Sequence, residues 1–434
     1  MQGGAFRNVL DLVETILTIL VQKGSVGVAF WSFGVKSGGM FHWLILSGAT
    51  LRLWVFFAGA LFLSACGSDQ SAVRRNNAET LPADGDAEVA AVLAEVMEKH
   101  QLPGMAAAIV TSQGVARMAA VGVRKSGTTV KVTVQDLWHL GSETKAMTAS
   151  LVGLLVERGG MRWDTTVGEV FPEMVAGFHP ATTNITMTEL LSHRAGLSAN
   201  LRWAGFKGRG TVQQQRIEAM KEALASEPEK PRGAYHYSNL GYVIAGAMIE
   251  KVLGQSWEEA MRREVFEPLK MTRVGYGGVG TPGTTDQPWG HLRSKRPTRD
   301  TGPGQDNPPV LGPAGRVHCP LEDWARFISD QLQGSRGKDG LLKAATYERL
   351  HTPQPGSDYA LGWVVAEREW GGGKVLNHAG CNTMFYANAW LAPQRDFAVL
   401  VCINQGDDVA AKASDEAVGA LIRLRASKLP AGSN

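Results

Sequence analysis

At 434 residues, 44% apolar and 20% charged, the chain is composed like an ordinary folded protein, which excludes disorder as its theme. It is longer than the about 250–300 residues that one compact core usually fills, so a large two-part domain plus a separate start is expected. The net charge of +3 sits mostly in the first 65 residues, and no basic stripe remains after them to bind nucleic acid.

The start differs from the rest. From Phe41 to Ala65 the only charge is Arg52, and the run after it, LWVFFAGALFL, closes on Ser64-Ala65-Cys66. A short apolar run behind a cation fits the core of a secretory signal, and it falls short of the about 20 residues that span a bilayer. Leu63-Ser64-Ala65-Cys66 resembles a bacterial lipobox. That resemblance implies that Cys66 is lipidated and becomes the first mature residue, which makes the protein an exported lipoprotein of the cell envelope. Residues 1–65 are therefore read as a signal region, with Met40 as the true start and 1–39 as a mis-called extension. Residues 66–85 read as a flexible tether. Cys319, Cys381 and Cys402 have neither the spacing of a disulfide framework nor that of a zinc site, and whether any two of them pair stays open.

Residues 86–100, DAEVAAVLAEVMEKH, carry apolar positions at helical spacing behind an acidic first turn and predict a helix. Pro103-Gly104 breaks it, and MAAAIVTS, Gln113-Gly114 and VARMAAVGV then predict a β-hairpin. Residues 142–158 predict a second helix, stopped by Gly159-Gly160. Roughly 160–320 alternates helical runs with loops rich in Gly and Pro, and 277–315 reads as a long loop of the kind that shapes binding sites. Strands return in YALGWVVAE, KVLNHAG, ANAWLA and FAVLVCIN, followed by a closing helix at about 408–425. The pattern predicts an α/β domain at 86–430, its sheet built from both chain ends, with a mostly helical region inserted.

Three short patterns carry chemistry. In Ser142-Glu143-Thr144-Lys145 the serine and lysine lie one helical turn apart, so the amine can reach the hydroxyl. A serine needs such a base, and a lysine serves as one only if its pKa is pushed down. Tyr237-Ser238-Asn239 offers a phenol that can share a proton and an amide that can hold both Lys145 and a substrate carbonyl. His378-Ala379-Gly380 ends a strand pattern, where histidine supplies a donor or a cation near pH 7 and glycine allows close backbone approach. Each pattern has a second copy: Ser335 to Lys338 in a polar Gly-rich loop, Tyr386-Ala387-Asn388 between strands, and His139-Leu140-Gly141 just before the serine. Context favours the first set, since an apolar helix follows Ser142.

Taken together, LGSETKAMTASLVGLLVERG, ITMTELLSHRAGL, YHYSNLGYVIAGAMIEKVLGQSWEEAM, GPAGRVHCPLEDWARF, YALGW, NHAG and VLVCIN resemble the β-lactamase-related serine hydrolases. That group holds class C β-lactamases, D-alanyl-D-alanine carboxypeptidases and related esterases, and the match runs in the family's order over nearly all of 86–425. The resemblance implies an antiparallel sheet flanked by helices. It implies an acyl-enzyme on Ser142, proton transfers by Lys145 and Tyr237, and orientation by Asn239. His378 and Gly380 would flank the substrate, and the backbone N–H groups of Ser142 and Cys381 would form the oxyanion hole. Relatives that grip a substrate carboxylate carry Thr or Ser where this chain has Ala379, which favours esters or amides without one.

His193 in LLSHRAGL reads as a structural histidine near a helix end rather than a rival base. Trp203, Trp289 and Trp363 are compatible with an apolar wall but read equally as core. No Gly-x-Ser-x-Gly elbow occurs, and no cluster has metal spacing, so neither cofactor nor metal is expected. The expected partner is a small ester, amide or peptide-like substrate, and a monomer is expected. Within the enzyme reading an esterase or broad hydrolase leads over a β-lactamase or D-alanyl-D-alanine carboxypeptidase. The rival of another class is an inactive cell-wall-binding lipoprotein. Specificity is expected to lie in the loops at 199–235 and 277–315.

Overall fold

The computed structural model describes residues 85–292 and 306–428, and the backbone alone of three short strands at 27–30, 44–47 and 296–297. The apolar run at 53–63, the lipobox and Cys66 lie outside the described residues. The chain divides into two units, Met1–Asn77 and Ala78–Asn434. In the first, Gly27–Phe30 pairs antiparallel with Leu44–Ser47. Among the described residues no helix is long and apolar enough to cross a membrane.

The second unit opens with α1 (Ala87–His100). Its N-cap is Asp86, whose carboxylate accepts the N–H groups of Glu88 and Val89, both at 3.0 Å. The hairpin follows as β1 (Gly104–Thr111) and β2 (Gly114–Gly122). After it come α2 (Thr144–Glu157), α3 (Val212–Leu224), α4 (Asn239–Leu253) and α5 (Leu321–Ser335). The chain ends in β3 (Val364–Arg368), β4 (Gly373–Cys381), β5 (Tyr386–Ala392), β6 (Phe397–Ile403) and α6 (Asp408–Ser427).

The six strands form one sheet in the order β3-β4-β5-β6-β1-β2, antiparallel throughout. The junction of β6 with β1, with Val401 opposite Ala107, joins the two chain ends. Strand periodicity divides each strand between two cores. Met105, Ala107 and Ile109 of β1, with Val399, Val401 and Ile403 of β6, pack with Val89, Leu93 and Leu421 under α1 and α6. Ala106, Ala108, Val110, Leu400 and Cys402 face the opposite way, into the core that holds Met147 and Leu151 of α2 and Trp324 and Phe327 of α5. Alternation thus lets small β1 residues admit helices on both faces of the sheet.

The helical region between α2 and α5 is knit together by a buried ion cluster. Arg216 of α3 is fully buried and bonds the carboxylates of Glu250 and Glu258. It also donates to the carbonyls of Val310 and Pro309, each at 3.3 Å. Burial opposes its charge, and the two carboxylates outweigh that. Breaking such a buried network by removing one partner typically costs about 3–5 kcal/mol. The segment it anchors, 309–314, passes directly beneath the site.

The sheet from both chain ends, the hairpin and the closing helix stand as expected. Two details differ. The inserted region also contributes strands: Gly275–Tyr276 pairs with Val317–Cys319, which pairs in turn with Trp138–His139 just before the Ser142 turn. Tyr386-Ala387-Asn388 does not lie between strands but opens β5, where Asn388 is buried and its amide reaches Ser414 and Asp415 of α6. Cys319, Cys381 and Cys402 are free thiols.

Candidate active site

The nucleophile sits on a tight entry turn. Gly141 adopts φ +52°, a left-handed conformation that suits glycine. One turn of 3₁₀ helix, Gly141–Glu143, then leads into α2. Thr144 fixes that turn: its hydroxyl donates to the Gly141 carbonyl at 2.7 Å and accepts the Val317 N–H at 3.1 Å. Ser142 stays half-buried while Lys145, one turn on, is fully buried.

Lys145 Nζ lies 2.9 Å from Ser142 Oγ, 2.8 Å from Asn239 Oδ1 and 2.7 Å from the Ala314 carbonyl. All three partners are neutral. Burial pushes the amine well below the usual lysine value. A neutral amine has two N–H donors and one lone pair. The two carbonyl-type oxygens can only accept, so they take the donors. The lone pair is left for the Ser142 O–H, which is the arrangement a general base requires. Glu143 does not upset this balance. It is buried, accepts the Ala389 N–H, and burial pushes its carboxyl well above the carboxylate range, which disfavours a negative charge there.

Tyr237 reaches the same hydroxyl. Its phenol hydrogen-bonds Ser142, and burial raises its pKa so that the phenol keeps its proton. Lys145 Nζ lies 4.9 Å from the Tyr237 ring centre. The loop that carries Tyr237 is set by helix capping: Ser238 is the N-cap of α4 and accepts the Gly241 N–H at 3.1 Å. Asn239 donates its amide N–H to Asn200 Oδ1 at 3.0 Å, which leaves Oδ1 turned to Lys145. Trp203 Nε1 donates to the same Asn200 oxygen at 3.0 Å.

His193 behaves as a structural residue. It follows the helix Met187–Leu191 at φ +60°, and its Nδ1 accepts the Ser238 N–H at 3.0 Å. Its ring packs against Tyr237 at 4.2 Å and Tyr359 at 4.6 Å between centres. Burial, then the proximity of Lys145, holds it well below the usual histidine value.

His378 requires a correction. The expectation of a donor or cation near pH 7 is not met, because the ring is buried and pushed down to about 3 by burial and by Lys145. Nδ1 lies 2.9 Å from the Ala379 carbonyl, which can only accept, so Nδ1 carries the hydrogen. Nε2 then accepts from the Tyr359 hydroxyl at 3.0 Å, leaving no donor for a substrate. Ala379 pairs with Asn388 across the sheet and brings no hydroxyl.

The turn before Ser142 and the end of β4 meet backbone to backbone. A Cβ on Gly141 would lie 2.5 Å from Cys381 N, and one on Gly380 would lie 2.6 Å from Ser142 N and 2.0 Å from the Leu140 carbonyl. Only glycine at both places permits the approach. It brings the backbone nitrogens of Ser142 and Cys381 close together. Of the three tryptophans, Trp363 and Trp289 are buried packing residues, whereas Trp203 joins the site through Asn200. Asn200, Tyr359 and the Ala314 carbonyl were not singled out by the sequence. The local signals for them were the Gly/Pro-rich context of Ala314 and the YALGW motif that opens on Tyr359.

A family model described as Beta-lactamase matches residues 89–423. The chain belongs to the Beta-lactamase family. Penicillin-binding protein 4 of Amycolatopsis lactamdurans is 29% identical over 332 residues, 71% of this chain and 82% of that protein. An unguisins hydrolase of Aspergillus campestris is 27% identical over 337 residues, 74% of this chain but 61% of the relative, so the chain spans less than two thirds of that protein. Among solved structures, the octameric penicillin-binding protein homologue from Pyrococcus abyssi superposes with a TM-score of 0.62 at 22% identity, over 78% of this chain and 77% of its own. A class C β-lactamase from Rhodobacter sphaeroides gives 0.62 at 19% identity, over 78% of this chain and all of its own. These two structures share the fold. The Beta-lactamase family match supports a serine hydrolase in general terms.

Proposed function

We propose that the chain hydrolyses esters or amides through an acyl-enzyme on Ser142. The observation that carries this reading is the Lys145 amine held 2.9 Å from the Ser142 hydroxyl, with burial pushing its pKa well below the usual lysine value. As Ser142 Oγ bonds to the substrate carbonyl carbon, its proton passes to Lys145. The carbonyl oxygen gains negative charge against the N–H groups of Ser142 and Cys381. Tyr237, still protonated, gives its proton to the departing alcohol or amine as that bond breaks. Ammonium and phenolate form together and stabilise each other. In deacylation a water proton returns to Tyr237, the hydroxide adds to the acyl carbon, and Lys145 returns its proton to Ser142. The opposed shifts of the two groups assign the base and the acid.

For substrate class, the leading reading is an ester or amide without a carboxylate next to the scissile bond. His378 is neutral with both ring nitrogens engaged, and residue 379 lacks a hydroxyl, so neither can grip an anion. Side-by-side turnover of p-nitrophenyl butyrate, nitrocefin and a D-Ala-D-Ala peptide tests this. The ester is expected to give the highest kcat/KM. A large preference for nitrocefin or the peptide would reverse the choice toward the β-lactamase or carboxypeptidase activities.

The signal region carries a further proposal, a lipid anchor at Cys66 that holds the protein at the cell envelope. Cells fed a palmitate analogue are expected to yield labelled protein, and Cys66→Ser is expected to release unlabelled protein. Labelling unaffected by that change would rule the anchor out.

A further inference from the structure

The two oxyanion donors belong to backbone stretches far apart in sequence, 139–142 and 380–385, and one buried carboxylate contacts both. The Asp306 side chain is wholly buried. Its Oδ1 lies 2.9 Å from His139 Nε2 and accepts the Asn382 amide N–H at 3.0 Å. Its Oδ2 accepts from Arg316 Nε at 3.0 Å. On one side, His139 Nδ1 accepts the Gly141 N–H at 3.1 Å, so that nitrogen is bare and the ring hydrogen sits on Nε2, 2.9 Å from the Asp306 carboxylate. On the other side, Asn382 Oδ1 accepts the N–H groups of Met384 at 3.1 Å and Phe385 at 2.8 Å, which closes the turn after Cys381. From a single carboxylate, one bridging side chain leads to the residue before Ser142 and another to the residue after Cys381. Burial alone would raise the Asp306 carboxyl, but His139, Arg316 and Asn382 outweigh it and hold it below the usual carboxylate range, hence ionised.

We infer that Asp306 is a positioning residue that, through His139 and Asn382, sets the spacing of the Ser142 and Cys381 N–H groups that receive the oxyanion. The inference rests on the Ser142 reading above. Oxyanion donors act over about 2.7–3.1 Å, and one donor lost costs about 10²–10³ in kcat, so a displaced pair is expensive even when nothing unfolds. A charge-assisted clamp from beneath leaves the mouth of the site open. His139, a spare copy of the third motif by its sequence, thereby gains a role.

The test uses p-nitrophenyl butyrate for turnover and phenylboronic acid for the transition state, since the tetrahedral boronate on Ser142 places an oxygen in the hole. Active sites are counted by a fluorophosphonate probe, so partial unfolding does not enter kcat. Asp306→Asn keeps the shape but sets an amide N–H against a donor. It is expected to lower kcat by roughly tenfold to a hundredfold with KM within about twofold, and to weaken phenylboronic acid by the same factor as kcat. If Asp306→Asn does not fold, the His139 pair decides. His139→Asn keeps an acceptor for Gly141 but cannot reach Asp306, and His139→Gln keeps the reach but loses the acceptor. Both are expected to lose kcat in parallel with boronate affinity. Combining either with Asn382→Ala should give losses that are not additive, because both arms act through one carboxylate. A lowered Tm with unchanged kcat per labelled site, or fully additive losses, would overturn the clamp. Ser142→Ala separates the two levels: turnover that survives it sinks the parent reading, whereas its loss beside unchanged clamp variants sinks the clamp alone.

Discussion

Lys145→Met is expected to lower kcat/KM by about 10³-fold, within the range that general-base catalysis supplies. Methionine fills a similar volume without a lone pair, so Ser142 would keep its place and lose the acceptor for its proton. The wild-type rate is expected to rise with pH to a plateau as Lys145 loses its proton, with the midpoint well below the usual lysine value of 10.5, and the variant is expected to lack that limb. Tyr237 should add no alkaline limb below its ordinary value of 10.0, because its shift is upward. The sign for stability is the reverse of that for an ion-paired lysine. Below 10.5 the unfolded chain binds a proton at Lys145 that the native site resists, so this residue costs stability as the pH falls. Tm measured against pH should therefore rise more steeply toward pH 10 for the wild type than for Lys145→Met. A variant that keeps the wild-type pH–rate profile would remove Lys145 from the base role.

Gly380→Ala is expected to lower kcat by about 10²–10³-fold while the protein still folds. The added Cβ would meet the Leu140 carbonyl at 2.0 Å and Ser142 N at 2.6 Å, both backbone atoms that cannot rotate aside. The two oxyanion donors must then separate. Overpacking of this kind costs about 1–3 kcal/mol, so Tm should fall as well. Gly177→Ala is the control, since a Cβ there meets nothing within 4 Å and its φ is not positive. Thermal melts and initial rates on the same preparations check the pair. Full kcat in Gly380→Ala would mean that the oxyanion is held elsewhere.

Much of this site was legible because its parts are local. Ser142 and Lys145 are one helical turn apart, and the turn before them needs Gly141, so spacing alone places amine near hydroxyl. Tyr237 and Asn239 flank an N-cap serine, which a helix start announces. The paired chain ends were legible from the apolar strand runs at 104–122 and 373–403 that bracket a helical middle. What stayed hidden was long-range. The Ala314 carbonyl reaches Lys145 across 169 positions, and no side-chain type marks a carbonyl acceptor. Asn200 gives no periodic signal, because it sits on a loop and acts through Asn239. His378 was misjudged since its charge depends on burial and on Lys145, neither of which a strand pattern reveals. His139 looked redundant as a motif and proved to hold Gly141, a role that needs Asp306 to be seen. The strands Trp138–His139 and Gly275–Tyr276 are two residues long, too short for any alternation to register.

The most direct test of the account is where a serine-directed probe attaches. After brief exposure to a fluorophosphonate, intact mass and peptide mapping are expected to show one adduct on the peptide bearing Ser142. Ser142→Ala should then show neither adduct nor ester turnover. An adduct on any other serine, or labelling and turnover that persist in Ser142→Ala, would contradict the placement of the nucleophile and all the chemistry built around it.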